Sequence, residues 1–322
     1  MDRDEDWRPT APLENLKARA RLLSGLRAFF DAADVMEVET PMMSAGATVD
    51  RHIDSFEVRV GGGAWLQTSP EFAMKRLLAA GSGPIYQITR AFRQEEQGRL
   101  HNREFTLLEW YRPRWNYRQL MDEVQALLQA VGGPAGNYER VCFRDAFVQA
   151  GQPDPFAAPI ADLVSAVLDT GGNAPDSLPR TDEARDEWMC LLLDSAVLPA
   201  MPVGTPWFLM DFPASQAALA RVRGGDPPVA ERFELIWDGM ELANGFHELT
   251  DADEQSQRFS DDRAWRREHS RAVPPIDQRL IEALRHGLPA CSGVALGVDR
   301  LLMKLIDAQH INEVLAFPAD RA

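Results

Sequence analysis

The sequence predicts an α+β domain in which helices flank an antiparallel β-sheet. Residues 84–92 and 104–111 show the alternation of apolar and polar side chains that is typical of strands, and a charged loop joins them. The pair Asp238-Gly239, between two further apolar runs, is a strong signal for a tight β-hairpin. Helical patterns precede and follow these strands in an irregular order, which indicates an α+β fold.

The N-terminal part predicts one long helix and two short strands. Residues 13–35 should form an amphipathic helix, because apolar side chains recur near one helical face. These side chains are Leu16, Leu23, Leu26, Phe30 and Ala33. A strand is expected at 36–41 and ends at Pro41, since proline cannot donate a hydrogen bond to a sheet. Another is expected at 64–68.

A second helix is predicted directly after that strand. Ser69 suits the N-cap, Pro70 the first helical position and Gly81 the C-terminal stop. Glu71 then lies in the first turn, where a carboxylate interacts favourably with the helix dipole. Taken alone, this residue is interpreted as such a dipole partner.

The rest of the chain predicts an insertion followed by more sheet. Residues from about 132 to 206 are rich in Gly, Pro and Ala around two modest helical patterns, so we expect a helical insertion or peripheral subdomain there. A strand at 206–213, the hairpin 232–249, a polar helix at about 253–271 and a strand followed by a helix at 291–308 complete the prediction.

Composition excludes several classes of function. The chain has 322 residues, 45% of them hydrophobic, and can bury a sizeable core. It contains no apolar run long enough to span a membrane and no signal-peptide pattern at its acidic start, so we expect a cytoplasmic protein. A net charge of −15 argues against nonspecific nucleic-acid binding. The three cysteines are far apart and indicate neither a disulfide framework nor a metal clip.

The loop between the first two strands concentrates charge. Period-two geometry places Phe105, Glu109 and Tyr111 on one face of the second strand, while Arg93 and Glu95 share a face after the first. The loop adds Arg99, His101, Asn102 and Arg103. Such a group of cations suits a polyanion, for example a nucleoside triphosphate. The alternative is a solvated hairpin tip whose charges prevent edge pairing.

The Asp-Gly hairpin carries a second group of charges. The pairings predicted by its turn are Trp237 with Met240, Ile236 with Glu241, and Ala243 with Glu234. Glu234 and Glu241 then share a face, where two carboxylates repel unless a proton or cation lies between them, and Mg²⁺ suits such oxygen ligands. A bulge at Asn244-Gly245 would turn Glu248 to the same side, where, as an unpaired acid, it could hold a substrate ammonium. The alternative is three surface glutamates.

The last helix also points to an anion. Gly297 ends the preceding strand pattern and lets backbone approach a ligand, which places Arg300 in the first helical turn. Arginine is unfavourable to the helix dipole there, so a bound anion explains its position better than local stability does.

These pieces resemble a known family. The strand ending at Pro41, the segments FRQEE and HNREFTLLEW, and GVALGVDR look like the three signature motifs of class II aminoacyl-tRNA synthetases, in order. TSPEFAMKRLL and ELANGFHELTDADEQ narrow the resemblance to the lysyl-tRNA synthetase catalytic domain. No anticodon-binding domain is expected before the first motif's helix. The chain therefore most resembles the elongation factor P β-lysine ligases, stand-alone paralogues of lysyl-tRNA synthetase, over essentially its whole length.

The resemblance implies a single class II synthetase catalytic domain. It would use ATP and Mg²⁺ to activate (R)-β-lysine or lysine as an aminoacyl-adenylate and transfer it to a lysine side chain of elongation factor P. Arg93 would bind the α-phosphate and Arg300 the γ-phosphate, as the catalytic residues. The other nucleotide-binding residues would be Gln94, Glu95, His101, Asn102, Phe105 (stacked on adenine), Glu241, Leu242 and Gly297. Glu234 and Glu241 would be the metal ligands. The amino acid would be held by Ser69, Pro70, Glu71, Tyr111, Asn244, Glu248 and Ala295.

Two positions depart from the lysyl-tRNA synthetase pattern. Gln94 stands where the motif more usually has Asn, next to the key arginine. Ala295 stands where lysyl-tRNA synthetases tend to have Gly, and the ligase family resembles this sequence there. The added methyl would crowd the place of an α-amino group and favour a β-amino acid.

Two other functions stay open. One is a truncated enzyme that still charges tRNA, and the other is a non-catalytic amino-acid sensor or regulatory subunit. The acidic balance argues against the first, and retention of Arg93, Glu95, Glu241, Glu248 and Arg300 against the second. The family also implies a homodimer whose interface includes the first motif.

Overall fold

The computed structural model describes residues 7–59, 61, 63–171 and 174–322. The helices are α1 (Leu13–Ala32), α2 (Glu71–Ala79), α3 (Tyr117–Ala130), α4 (Phe143–Gln149), α5 (Ile160–Asp169), α6 (Arg185–Leu192), α7 (Leu198–Ala200), α8 (Ala252–Glu268), α9 (Gln278–Gly287) and α10 (Val298–Leu305). The strands are β1 (Met36–Glu37), β2 (Met43–Ser44), β3 (Glu57–Val58), β4 (Ala64–Leu66), β5 (Ile85–Phe92), β6 (Glu104–Pro113), β7 (Glu139–Cys142), β8 (Trp207–Pro213), β9 (Val222–Arg223), β10 (Val229–Trp237), β11 (Met240–His247) and β12 (Cys291–Gly297).

The chain divides into two units. Met1–Gly133 and Glu248–Ala322 form the first, and Pro134–His247 forms the second. The single domain with a helical insertion at about 132–206 and without an anticodon-binding domain stays a prediction. No helix in the described part of the chain has the length and apolar character needed to cross a membrane.

The first unit is built on a sheet with the strand order β1-β5-β6-β12. β5 and β6 pair antiparallel, with Ile85 opposite Tyr111 and Phe92 opposite Glu104, as predicted. β12 continues the sheet antiparallel to β6. Of the strand predicted at 36–41, only Met36–Glu37 pairs, and it runs parallel to β5. β2, β4 and β3 form a separate three-stranded sheet.

One face of this sheet is closed by helices α1, α3 and α10. Phe30 of α1 stacks on Tyr86 at 4.4 Å between ring centroids. Trp110 Nε1 donates to Glu123 Oε2 of α3 at 2.9 Å. The backbone N–H of Thr106 donates to Asp299 of α10 at 2.7 Å. Because alternate residues of a strand point to opposite faces, Phe105, Glu109 and Tyr111 point to the other face.

The helix predictions held in outline and shifted in detail. α1 buries Leu22, Leu26 and Phe30, so Leu22 rather than the predicted Leu23 faces the core. In α2, Pro70 is the N-cap, whereas Ser69 was predicted there, so the helix begins one residue later than predicted. Ser69 Oγ accepts a hydrogen bond from the backbone N–H of Glu71 at 3.1 Å. The positive φ of 88° at Gly81 explains why glycine follows this helix.

The second unit contains a sheet with the order β11-β10-β8-β7, and β9 pairs with β10. β7 runs parallel to β8, and the other neighbours are antiparallel. Helices α4, α5 and α6 cover this sheet around an apolar core that includes Phe143, Trp188 and Phe212. Mainly antiparallel sheets flanked by helices confirm the predicted α+β class.

The β10–β11 hairpin differs from its predicted register by one residue. The observed pairs are Trp237 with Met240, Ile236 with Glu241, Leu235 with Ala243, and Glu234 with Asn244. Leu242 is the extra residue at the shift between Leu235 and Ile236, so the pairing of Glu234 with Ala243 was wrong. The bulge was expected two residues later, at Asn244-Gly245. Glu234, Glu241 and Asn244 nevertheless share one face.

Candidate active site

A cluster of buried acids lies in the first unit, on the face of the β6–β12 pair opposite the one that α1, α3 and α10 cover. Ser69 and Glu71 come from the start of α2, while Glu109 and Tyr111 project from β6. Glu248 is fixed at its backbone, whose N–H donates to Cys291 O at 2.9 Å. Four of the residues expected to hold the amino acid, Ser69, Glu71, Tyr111 and Glu248, are thus brought together in one cluster.

Glu109 connects the helix start to the sheet. Its Oε2 accepts from Ser69 Oγ at 2.6 Å, and its Oε1 accepts from Tyr111 Oη at 2.7 Å. The residue is 2% exposed. The sequence placed Glu109 on this face but gave it no role, and the hydrogen bonds show that it orients two of the predicted binding residues.

Lys75 lies between the other two acids. Its Nζ is 2.6 Å from Glu71 Oε1 and 2.5 Å from Glu248 Oε2. Neither oxygen of Glu248 receives a well-aligned hydrogen bond from a described residue, so the contact with Lys75 is an ion pair. Glu248 was expected as an unpaired acid, and its pairing with Lys75 corrects that expectation. The helical spacing of four residues between Glu71 and Lys75 was readable from the sequence, but the approach of Glu248 was not.

The acids of this cluster have shifted pKa values. Burial raises the pKa of Glu248 to about 8, with Lys75 opposing the shift and Glu71 adding to it. Burial and the charge of Glu71 raise the pKa of Glu109 to about 7. Burial by itself would lower the pKa of Lys75, but Glu248 and Glu71 hold it above its usual value. A cationic ligand would favour the charged form of these acids.

Gly293 makes the room for this cluster. It lies opposite Tyr111 in the register of β12 on β6. A Cβ at this position would lie 2.5 Å from Glu248 Oε1 and even closer to the ring of Tyr111. This role of Gly293 was not predicted from the sequence. Ala295, two residues on, lies opposite Glu109 and faces the same side, and its role in limiting the amino-acid site stays a prediction.

The arginine expected at the α-phosphate already has partners. Arg93 Nη1 lies 2.8 Å from Glu96 Oε1, and its guanidinium lies 5.1 Å from the ring centroid of Phe105. Arg93 and Phe105, both predicted for the nucleotide site, are therefore neighbours. Glu96 was not predicted, and it is a carboxylate that a phosphate would have to replace.

The second predicted phosphate ligand, Arg300, contacts His101. Arg300 is in the first turn of α10, and its Nη2 is in hydrogen-bond contact with His101 Nε2. Gly297 is the N-cap of that helix. Asn102 is 7% exposed, and its amide donates to Glu104 O and accepts from the backbone N–H of Ala319. This amide ties the loop to the C-terminal segment, and its nucleotide role stays a prediction.

Gln94 and Glu95 line a polar cavity of about 400 Å³ in the first unit. Arg271 lies 3.5 Å from Glu95 Oε2 and 2.8 Å from Asp54 Oδ2. The buried Arg266 also pairs with Asp54. The side chain of Glu95 is 66% exposed, so it is accessible to a ligand.

In the second unit, Glu234 and Glu241 form the predicted carboxylate pair. Burial and the charge of Glu241 raise the pKa of Glu234 to about 7. Arg232, which the sequence analysis missed, forms an ion pair with Glu234 and donates to Asn244 Oδ1 at 3.2 Å. Leu242, predicted at the nucleotide, is 2% exposed beside this pair.

Comparison with known proteins adds to this picture. A family model described as tRNA synthetases class II (D, K and N) matches residues 3–321. A protein named elongation factor P–(R)-beta-lysine ligase, from Yersinia enterocolitica serotype O:8 / biotype 1B (strain NCTC 13174 / 8081), is 48% identical over 331 residues, and the match covers 100% of both chains.

Proposed function

The chain belongs to the class II tRNA synthetase family (D, K and N), and from this we propose that it is an AMP-forming ligase that attaches (R)-β-lysine to a lysine side chain of elongation factor P. The full-length similarity to a ligase of that name supports the partner and the amino acid. The family supports adenylate formation from ATP.

The observation that carries the proposal is the buried acid cluster. Glu71, Glu109 and Glu248 lie together at the start of α2, where Lys75 and the hydroxyls of Ser69 and Tyr111 already bind them. Buried carboxylates are costly unless cations compensate them. An amino acid with two ammonium groups supplies such cations, so the pocket fits lysine or β-lysine better than a neutral amino acid.

The proposed reaction needs no side-chain nucleophile. A carboxylate oxygen of the amino acid attacks the α-phosphorus of ATP, and pyrophosphate leaves. Arg93 would stabilise the charge that develops on the α-phosphate, and Arg300 would hold the γ-phosphate. An uncharged lysine amine of the partner then attacks the adenylate carbonyl, AMP leaves, and the nitrogen loses a proton as the amide forms. Positioning and electrostatic stabilisation therefore carry the catalysis.

The remaining roles follow the predicted assignment. His101, Phe105 and Gly297 would contact the nucleotide with Gln94 and Glu95. The amino acid would contact Pro70, Asn244 and Ala295 in addition to the acid cluster. The guanidinium of Arg93 lies over the Phe105 ring, so adenine would stack on the other face of the ring or displace Arg93 from it.

Glu234 and Glu241 are the residues that would hold Mg²⁺. Two carboxylates near each other, with a raised pKa at Glu234, are what a cation would stabilise. No group of three potential metal ligands is found among the described residues. That fits Mg²⁺, which commonly takes only one or two protein carboxylates together with waters and phosphates. A bound Mg²⁺ would neutralise phosphate charge. The ion pair between Arg232 and Glu234 would have to break before Glu234 could bind the metal.

ATP–pyrophosphate exchange tests the proposed function. Purified protein is offered (R)-β-lysine, α-lysine or no amino acid, and the active case is then followed with labelled amino acid and elongation factor P or bulk tRNA. We expect exchange that favours (R)-β-lysine and label on the protein. Label on tRNA would instead indicate a synthetase, and ATP binding without exchange would indicate a sensor. Chelation of divalent cations should abolish the exchange, and added Mg²⁺ should restore it.

We also propose a homodimer. Met36, Met42 and Met43 lie in or near the first motif and are 51%, 47% and 51% exposed, and a second copy would bury these apolar side chains. Light scattering should give twice the monomer mass, and the double substitution Met36→Lys and Met43→Lys should reduce it. A monomer at micromolar concentration of the unaltered protein would contradict the proposal.

A further inference from the structure

The acid pocket contains a cation of its own that the proposed chemistry does not use. Lys75 is 2% exposed, on the buried face of α2 with Met74 and Leu78. Lys75 follows Glu71 by one helical turn, so its side chain lies beside that of Glu71. Its ammonium contacts the carboxylates of both Glu71 and Glu248. A lysine is seldom buried this completely unless its charge is compensated.

We propose that Lys75 is a positioning residue that bridges Glu71 and Glu248 and favours their charged forms, and so makes the acid cluster selective for an amino acid with two ammonium groups. This inference rests on the proposed function. It assigns a specificity role to a residue that would not itself react.

The carboxylates of Glu71 and Glu248 repel each other when both are charged. Two carboxylates close together in a buried site repel each other unless a cation lies between them or one of them takes up a proton. A proton on one acid would relieve this repulsion but weaken the binding of an ammonium group. A protonated acid has no charge, and it donates a hydrogen bond where an ammonium needs an acceptor. Lys75, at 2.6 and 2.5 Å from the two acids, compensates the charge and leaves their other oxygens as acceptors.

The charge count supports the same conclusion. Glu71, Glu109 and Glu248 contribute three negative charges when ionised, and Lys75 contributes one positive charge. The cluster then has two uncompensated negative charges, which match the two ammonium groups of lysine or β-lysine. The carboxylate of the amino acid has a separate task, since it must reach the α-phosphate of ATP.

The test compares Lys75→Met with a matched control on the same helix. Arg76→Met also removes one cation from α2, but Arg76 is exposed. ATP–pyrophosphate exchange gives kcat and the KM values for (R)-β-lysine, for ATP, and for 3-aminohexanoate, which lacks the terminal ammonium. We expect K75M to raise the KM for (R)-β-lysine roughly 10- to 100-fold, the effect of losing one hydrogen bond to a charged group. The kcat and the KM for ATP should change less than about threefold.

Selectivity separates this role from a structural one. K75M should lose most of the preference for (R)-β-lysine over 3-aminohexanoate, whereas R76M should keep it. Lys75→Arg, which retains the charge, should restore most of the preference. Lys75→Gln supplies a second uncharged variant if K75M does not fold. Circular dichroism and ATP binding confirm that each variant is folded.

Two results would overturn the inference. An unchanged KM for (R)-β-lysine in folded K75M or K75Q would mean that Lys75 does not position the acids. A fall in kcat with unchanged selectivity would mean that Lys75 acts on another step. Both are distinct from failure of the proposed function, in which the unaltered protein itself would show no lysine-dependent exchange.

Discussion

Gly293→Ala should damage amino-acid recognition while sparing ATP binding. The new Cβ would lie 2.5 Å from Glu248 Oε1 and 2.3 and 2.5 Å from two ring carbons of Tyr111. Optimal contacts between carbon atoms are about 3.5 to 4.0 Å, so the side chains must move apart by about 1 Å. Neither has much room, because Glu248 and Tyr111 are 1% and 2% exposed.

The magnitude follows from the two consequences of that movement. Overpacking a buried site typically costs about 1 to 3 kcal/mol of stability. Misplacing binding groups by about 1 Å can lower the rate about 100-fold. We therefore expect kcat/KM for (R)-β-lysine to fall about 100-fold, the KM for ATP to stay within about twofold, and the free energy of unfolding to fall by about 1 to 3 kcal/mol.

ATP–pyrophosphate exchange and urea unfolding supply the measurements, with Gly224→Ala as the matched control. A Cβ at Gly224 would meet no atom within 4 Å, and its φ is not positive. This control should change neither quantity. If G293A kept its kcat/KM for lysine and its stability within about 0.5 kcal/mol, the packing of Tyr111 and Glu248 against Gly293 would not limit recognition.

Three further predictions concern the same sites. Ala295→Gly should raise the ratio of kcat/KM for α-lysine to kcat/KM for (R)-β-lysine by a factor that corresponds to about 1 to 3 kcal/mol, and an unchanged ratio would refute this. Glu96→Gln should lower the KM for ATP, by less than about fivefold, since it frees Arg93 from a partly exposed ion pair, and a raised KM would contradict it. The raised pKa values of Glu109 and Glu248, about 7 and 8, favour folding below their unfolded values near 4.5, and this contribution is lost as pH rises through 7 and 8. Ligand-free stability should therefore fall between about pH 4.5 and 8, less so with saturating (R)-β-lysine; an equal fall with and without the amino acid, measured by urea unfolding, would be the contrary result.

Much of the frame was readable from local sequence. The β5–β6 hairpin and the start of α10 at Gly297 depend on residues near each other in the chain, and both were predicted correctly. The family was recognisable from motif order alone, and the comparisons confirm it. The predicted register of β10 on β11 is wrong beyond Leu242. The turn at Asp238-Gly239 fixes only the nearest pairs, and the bulge depends on how both strands pack.

The acid cluster shows what the sequence could not supply. Glu71 and Lys75 are one helical turn apart, so their contact was local and predictable. The third member, Glu248, is distant in sequence and reaches Lys75 only through the fold. Gly293 likewise acquires its role from Tyr111 on the neighbouring strand, and nothing in the segment CSGVALG distinguishes a glycine that makes space from one that permits a turn.

The open face of β12 separates two aspects of recognition. Its side chains at Gly293, Ala295 and Gly297 are a hydrogen, a methyl and a hydrogen, while the intervening Val294 and Leu296 pack on the covered face. Successive residues on one face of a strand are about 6.6 to 6.8 Å apart. The place where Glu248 meets Tyr111 beside Gly293 is therefore one such step from the methyl of Ala295. By the proposed assignment, Glu248 would hold an ammonium at one end of the substrate and the methyl of Ala295 would limit bulk at the other, so changes at Gly293 should alter recognition of the charge and changes at Ala295 the choice between lysine isomers.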